Sequence, residues 1–230
     1  MKLTDMKNAL LAGEFDARLS EVYGADAVSA QQVRYAKALD EFAALYGADR
    51  DVSLFSVSGR SELSGNHTDH NYGCVVAAAI DLDIIAVASA NNESIIRVKS
   101  EGFDQDVVDI ATYNTPDPTK FASSASIIAG MSAQLVQNGY ATGGFDAYTT
   151  SAVLKGSGIS SSAAFEDMIG NILNYLYNEG KIDNVEIAKM SQKAENQFFG
   201  KPCGLMDQVA CAHGGIVAID FADPDRKSVE

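Results

Sequence analysis

The sequence predicts an α+β fold, and three observations carry that prediction. Apart from one covering helix, strand-like stretches come early, from Val52 to about residue 110, and amphipathic helical stretches follow. A Gly/Ser-rich turn then joins a further strand, Phe145 to Val153, to a strongly patterned helix. No repeat, low-complexity tract or flexible linker interrupts the chain, and 47% hydrophobic content over 230 residues is ample for a core.

Taken in order, the first well-marked helix follows Ser29, within a helical segment at about residues 1–50. Tyr35, Ala38, Leu39, Phe42, Leu45 and Tyr46 share one face, and Gly47 ends it. Val52 to Ser58 alternates and is β-branched as a strand should be. Cys74 to Ala90 reads as two buried strands or one long bent one, Asn91-Asn92 as a turn, and Ile95 to Lys99 and residues 105–110 as further strands. Pro116 and Pro118 mark a loop before a helix from Phe121 to Gln137. Asp183-Asn184-Val185-Glu186 is a capping-box arrangement opening a helix to about Phe198, and Gly215 to Phe221 is a last strand.

Net charge is −14 with a pI near 4.5, which argues against nucleic acid or an anionic membrane as partner. Cys74, Cys203 and Cys211 are scattered and lack metal spacing, as expected of free thiols in a reducing compartment. The N-terminus has no signal-peptide core, and the longest apolar run, Cys74 to Ala90, is broken by Asp81 and Asp83. The expected location is the cytoplasm.

Lys155 to Glu166 reads Lys-Gly-Ser-Gly-Ile-Ser-Ser-Ser-Ala-Ala-Phe-Glu. Gly156 and Gly158 allow a tight turn and close backbone approach, and Ser160, Ser161 and Ser162 supply hydroxyls where a helix begins. That helix carries the stripe Phe165, Ile169, Ile172, Leu173 and Leu176. Its first turn leaves N–H groups unpaired at the positive end of the dipole, which favours a phosphate. A plain strand-to-helix turn has the same composition. No Gly-Lys-Ser/Thr closes it, so it is not a Walker A loop, and Ser161 stands where a dinucleotide fingerprint needs glycine.

Two other stretches carry polar residues that packing does not explain. Gly59 to Asn71 places Arg60, Asn66, His67, Asp69 and His70 in a loop between buried strands, a set suited to a polyhydroxyl ligand. Ligation of a metal by His67, Asp69 and His70, or a loop that only ties down its own backbone, are the rival readings. In Glu195 to Gln208, Glu195 falls on the apolar side of its helix and needs a cation or a metal. Asp207 follows a Pro/Gly-rich turn, where a helix cap is the ordinary role.

The three stretches occur together and in order, and with them the chain resembles the galactokinases of the GHMP small-molecule kinase family. Gly59 to Gly73 resembles the signature Gly-Arg-x-x-x-x-Gly-Glu-His-Thr-Asp-Tyr-Asn-x-Gly. Gly156 to Glu166 is similar to the loop Gly-x-Gly-Leu-Ser-Ser-Ser-Ala-x-x-Glu, and Lys201 to Gln208 to Pro-Cys-Gly-Ile-Met-Asp-Gln. The resemblance implies a GHMP-kinase N-terminal domain over residues 1–230, of the ribosomal protein S5 domain 2-like kind. Its mixed sheet would carry helices on one face and a left-handed βαβ crossover around the phosphate loop.

The implied activity is phosphorylation of galactose at its anomeric hydroxyl by ATP and Mg²⁺. Asp207 would face that hydroxyl and Arg60 would stabilise transferring charge. Asn66, His67, Asp69 and Gly204 would contact the sugar. Gly156, Ser157, Gly158, Ile159, Ser160, Ser161 and Ser162 would wrap the phosphates, with Ser160 and Glu195 near Mg²⁺. An aspartate beside an arginine stays ionised at pH 7, so Asp207 would be a feeble base that mainly orients the hydroxyl.

Departures from the pattern matter. Asn66 replaces the family's Glu and His70 its Tyr; the neutral amide admits galacturonate or N-acetylgalactosamine as alternative substrates. A non-catalytic sugar and ATP sensor is the alternative from another class. Ser58 and Leu154 replace prolines, which alters loop stiffness. The family continues with a C-terminal domain, expected to be missing from this chain.

Overall fold

The computed structural model describes residues 1–153, 156–222 and 228–229; Leu154 and Lys155, at the start of the Gly/Ser stretch, lie outside the described residues. Its spine is β2, Cys74–Ala90, the longest strand of a seven-stranded mixed sheet. In the upper half of β2, Ile84, Ala86 and Ala88 point into one core, and Ile85 and Val87 into another. A strand covered on both faces shows a continuous apolar run, which is why Cys74 to Ala90 lacks alternation.

β1, Ser53–Ser64, runs antiparallel along most of β2, from Ala88 to Val76. The other edge of β2 is shared. β5, Phe145–Ser151, pairs with Ile84–Ala90, and β6, Ile216–Asp220, with Cys74–Ala78, both antiparallel. β5 and β6 therefore sit end to end, and the chain between them leaves the sheet and returns to the same line. Beyond β5 come β3, Ile95–Ser100, in parallel register, and β4, Gln105–Asp109, antiparallel to β3. β7, Ser228–Val229, pairs with β6.

Seven α-helices cover this sheet among the described residues: α1, Leu3–Leu11; α2, Asp16–Tyr23; α3, Val28–Tyr46; α4, Ser124–Gln137; α5, Ser161–Tyr177; α6, Asn184–Ala194; and α7, Met206–His213. α4 to α7 pack on one face, with Ile128, Met131, Ile169, Leu173, Ile187 and Phe198 fully buried. The expectation of helices on one face holds for these four and is corrected for the rest. α1 to α3 cover the opposite face through Leu10, Leu39 and Phe42 against Ile85, Val87 and Tyr148. The apolar side chains on both faces of upper β2 require this second layer.

Asp83 pins that layer to the sheet. It is 3% exposed and accepts from the Tyr23 hydroxyl at 2.5 Å, Ser56 Oγ at 2.5 Å and Arg34 Nη1 at 2.5 Å. Buried charge is tolerated only when paired and hydrogen-bonded in this way. Ser123 caps α4 and Asp183 caps α6, accepting from Val185 N at 2.8 Å. Glu186, however, pairs with Lys189 at 2.6 Å. α6 continues into a π-helical turn, Glu195–Phe199, that buries Glu195 and Phe198. Such single π turns often mark functional sites.

Candidate active site

The site begins at an irregularity in β1. Ser58 lies opposite Asp83, but Arg60 lies opposite Ala79, so the register shifts across Gly59. The carbonyl of Ile159 fills the break, accepting from Arg60 N–H at 3.2 Å, and a Cβ on Gly59 would press against that same oxygen. The Gly/Ser loop is thus docked on the bulge of another strand, a common way of re-aiming a side chain. Residues Arg60 to Ser64, expected in a loop, are strand, because the alanines of lower β2 continue the ladder; the loop proper starts at Gly65.

Arg60 is 7% exposed, and its guanidinium joins two elements. Nε donates to Asp207 Oδ1 at 2.8 Å, and Nη1 donates to the Gly158 carbonyl at 2.7 Å. The other Asp207 oxygen, Oδ2, accepts from Ser160 Oγ at 2.6 Å. Asp207 sits one residue inside α7 and caps nothing. Its side chain is 36% exposed, so the ion pair is buried on the arginine side and open on the carboxylate side.

Ser160 stands at the N-cap position of α5 with φ 64° and makes no side-chain capping bond. Its hydroxyl goes to Asp207, which leaves the first-turn N–H groups of α5 without the serine that would ordinarily cap them. Gly156 and Gly158 have φ of 81° and 78°, and nothing crowds the space beside either. A left-handed backbone leading into an uncapped helix start suits an anion. Ser161 and Ser162 begin α5, with Ser157 and Ile159 in the turn before it.

The second loop, Gly65 to Gly73, places Asn66 and His67 consecutively in the left-handed region, with φ of 56° and 51°. Both are exposed. Glu62 faces two nitrogens of His67: Oε1 accepts from the backbone N–H at 2.8 Å, and Oε2 lies 3.1 Å from ring Nε2. Asp69 reaches the first residue of α7, accepting from Met206 N–H at 3.4 Å. It lies so close to Gly204 that a Cβ there would overlap its carboxylate. His70 is exposed beside Asp69. Among the described residues no group of three His, Cys, Asp or Glu side chains is set to hold a metal, the His67, Asp69 and His70 set included.

Behind Asp207 lies a buried acidic pair. Glu195, 2% exposed, accepts from Lys201 Nζ at 3.0 Å and from Gln208 Nε2 at 3.0 Å. The same Gln208 nitrogen donates to Glu166 at 3.1 Å, whose other oxygen is buried without a partner. Burial, and then the charge of Glu195, push the Glu166 carboxyl well above the usual range. Burial and the Glu195 carboxylate likewise push the Cys203 thiol up. The cation facing interior Glu195 is Lys201; Ser160 and Glu195 are engaged with different partners. Glu62, Glu166 and Gln208 fall inside the three motifs, but their roles are not legible there, because they depend on whom the side chains meet.

A cavity of about 790 Å³ runs along the free edge of β1 against α2, away from Arg60 and Asp207. The chemistry-bearing residues converge instead on the open surface between the two loops and the start of α7.

Comparison with known proteins bears on this arrangement. Residues 126–215 match the GHMP kinases N terminal domain, and residues 40–90 match the galactokinase galactose-binding signature. The chain is 38% identical over 172 residues to a galactokinase of Pyrococcus furiosus, covering 75% of this chain and 47% of that protein. It is 34% identical to a galactokinase of Clostridium tetani, covering 76% and 44%. The crystal structure of Lactococcus lactis galactokinase complexed with galactose superposes with a TM-score of 0.76 at 26% identity, covering 86% of this chain and 51% of that one. The Methanococcus jannaschii mevalonate kinase, with a TM-score of 0.63 at 18% identity, shares the fold. The chain spans about half the length of the curated relatives it matches. With its mixed α+β sheet and its matches to the GHMP kinase N-terminal domain and the galactose-binding signature, the chain has the GHMP-kinase N-terminal fold and resembles the galactokinases over about half their length.

Proposed function

We propose that this domain provides the sugar-binding and ATP-phosphate-binding halves of a cytoplasmic galactokinase, which transfers the γ-phosphoryl group of ATP to the anomeric hydroxyl of galactose. The observation that carries this reading is the clamp on Asp207, one oxygen on Arg60 and the other on Ser160. One carboxylate thereby links the sugar side to the phosphate side.

In this reading the open edge of Asp207 orients the attacking hydroxyl and accepts its proton late. Arg60, already bonded to the phosphate loop through Gly158, stabilises the charge that develops between the two oxygens. The uncapped start of α5, with Gly156 to Ser162, holds the phosphates, whose transfer depends mainly on position and charge neutralisation. Asn66, His67, Asp69 and the Gly204 backbone hold the sugar hydroxyls.

The donors present near the loop, a hydroxyl and carboxylates, are the hard oxygen ligands that suit Mg²⁺. Ser160 and Glu195 would hold it, Glu195 exchanging Lys201 for the ion. When bound, the ion supplies charge neutralisation on the phosphate oxygens.

The test is sugar-dependent ADP release by the protein in its full natural length. Galactose, galacturonate and N-acetylgalactosamine serve as substrates, and Asp207→Asn as the control. Release with galactose that the variant abolishes, while sugar binding persists, supports the assignment. Galactose as the poorest substrate, or a fully active variant, refutes it. Binding of sugar and ATP without release would favour a sensor.

A further inference from the structure

The sugar loop contains a carboxylate that no motif assigns. Glu62 lies on β1 opposite Ala77, two residues beyond Arg60, and Ala77 belongs to the core beneath α7. Alternation therefore puts Arg60 and Glu62 on the same face of the sheet, the face that carries Asp207. The Glu62 side chain is 12% exposed, and both its oxygens are aimed at one residue. One accepts from the His67 backbone N–H at 2.8 Å, the other lies 3.1 Å from His67 Nε2.

The geometry suits a carboxylate. Its two oxygens meet the backbone N–H and the ring nitrogen at once, whereas an amide presents one oxygen and one N–H and carries no charge. The backbone it braces is costly, since consecutive non-glycine residues, Asn66 and His67, hold left-handed φ angles. The charge has a second effect. The N–H that Glu62 meets belongs to the Asn66–His67 peptide, so a negative group stands beside the position where Asn66 brings none. Arg60, the nearest cation along the strand, is held by Asp207 and Gly158.

We propose that Glu62 is a positioning and specificity residue of the sugar loop: its carboxylate fixes the Asn66–His67 turn, and its charge excludes sugars that bear a carboxylate of their own. The proposal rests on the galactokinase reading and reverses the tolerance for galacturonate that Asn66 suggests when considered alone.

The experiment compares galactose and galacturonate binding by calorimetry, with kcat and KM for galactose, in the full-length protein and its Glu62→Gln and Glu62→Asp variants. The unsubstituted protein is expected to prefer galactose. Glu62→Gln should weaken galactose binding about tenfold, as loss of a charge-assisted bond does, and narrow the gap to galacturonate. Glu62→Asp, too short to meet both nitrogens, should weaken galactose binding yet still exclude galacturonate. The losses should appear in KM, with kcat nearly unchanged. Either variant binding both sugars as the unsubstituted protein does would overturn the proposal, and Glu62→Asp decides if Glu62→Gln does not fold. An unsubstituted protein that binds no sugar would instead overturn the galactokinase reading beneath it.

Discussion

Arg60 and Asp207, 147 positions apart in the chain, meet through a single N–H, Nε donating to Oδ1 at 2.8 Å. Nη1 of the same guanidinium donates to the Gly158 carbonyl at 2.7 Å, so one side chain ties the start of α7 to the Gly/Ser loop.

That dual role makes the guanidinium hard to replace. A lysine has one ammonium on a flexible stem and cannot reach Asp207 and Gly158 in the same geometry. Arg60→Lys should lower kcat/KM about a hundredfold, corresponding to about 3 kcal/mol of transition-state stabilisation. Steady-state kinetics beside an unchanged circular dichroism spectrum checks this, and a loss below threefold would contradict it.

Gly204→Ala should separate the two ligands. The added methyl would collide with the Asp69 carboxylate and push it from Met206 N–H, while the α5 start is untouched. Overpacking of this kind costs about 1–3 kcal/mol, so sugar affinity should fall about tenfold or more. ATP affinity, measured in the same titrations, should stay as it was.

Asp167 is fully buried between α5 and α6. It accepts from Ser191 Oγ at 2.7 Å with one oxygen and leaves the other without a partner. Burial raises its pKa well above 3.8, so the folded state retains a proton that the unfolded state releases. Its contribution to stability is therefore fully present below about pH 4 and is lost as pH rises through the folded pKa, by up to about 1.4 kcal/mol per pH unit. Asp167→Asn should flatten the dependence of Tm on pH between about pH 4 and the folded pKa; an unaltered profile would show that Asp167 does not set it.

Asp83→Ala should be the most destabilising of these changes. It removes the acceptor of Tyr23, Ser56 and Arg34 together and leaves the half-buried guanidinium uncompensated. Breaking a buried pair from one side costs about 3–5 kcal/mol. Urea unfolding should show a shifted midpoint, with α1 to α3 losing protection from hydrogen exchange first.

The central strands, α3 to α6 and the three polar stretches are legible because local pattern and packing agree there. Ile169, Ile172 and Leu173 fall at helical spacing and are fully buried. β1 is legible only to Ser58, since Arg-Ser-Glu-Leu-Ser lacks strand-forming residues and becomes strand only because β2 is there to pair with it. α1 and α2 are too short to stand out as separate elements, and their apolar positions gain meaning only from the sheet face they cover. In the site, residue types are legible and partners are not. Ser160 reads as a cap yet its hydroxyl turns to Asp207, and buried Glu195 finds Lys201 six residues on. The first choice depends on a residue 47 positions away, and the second on how the turn after α6 folds back.

The seating of β5 and β6 end to end on β2 has a kinetic consequence. Everything from the phosphate loop to α7 lies between two strands that dock on the same edge, so that segment is anchored at both ends only after β6 has paired. Contacts of such long sequence separation form late, because loop closure precedes any compensating gain. During synthesis the sugar loop emerges well before Asp207, and an intermediate with β1 to β5 assembled would hold Arg60 without its carboxylate. Recovery of ligand binding during refolding should therefore lag behind recovery of helical signal, and the lag would measure closure of this one edge.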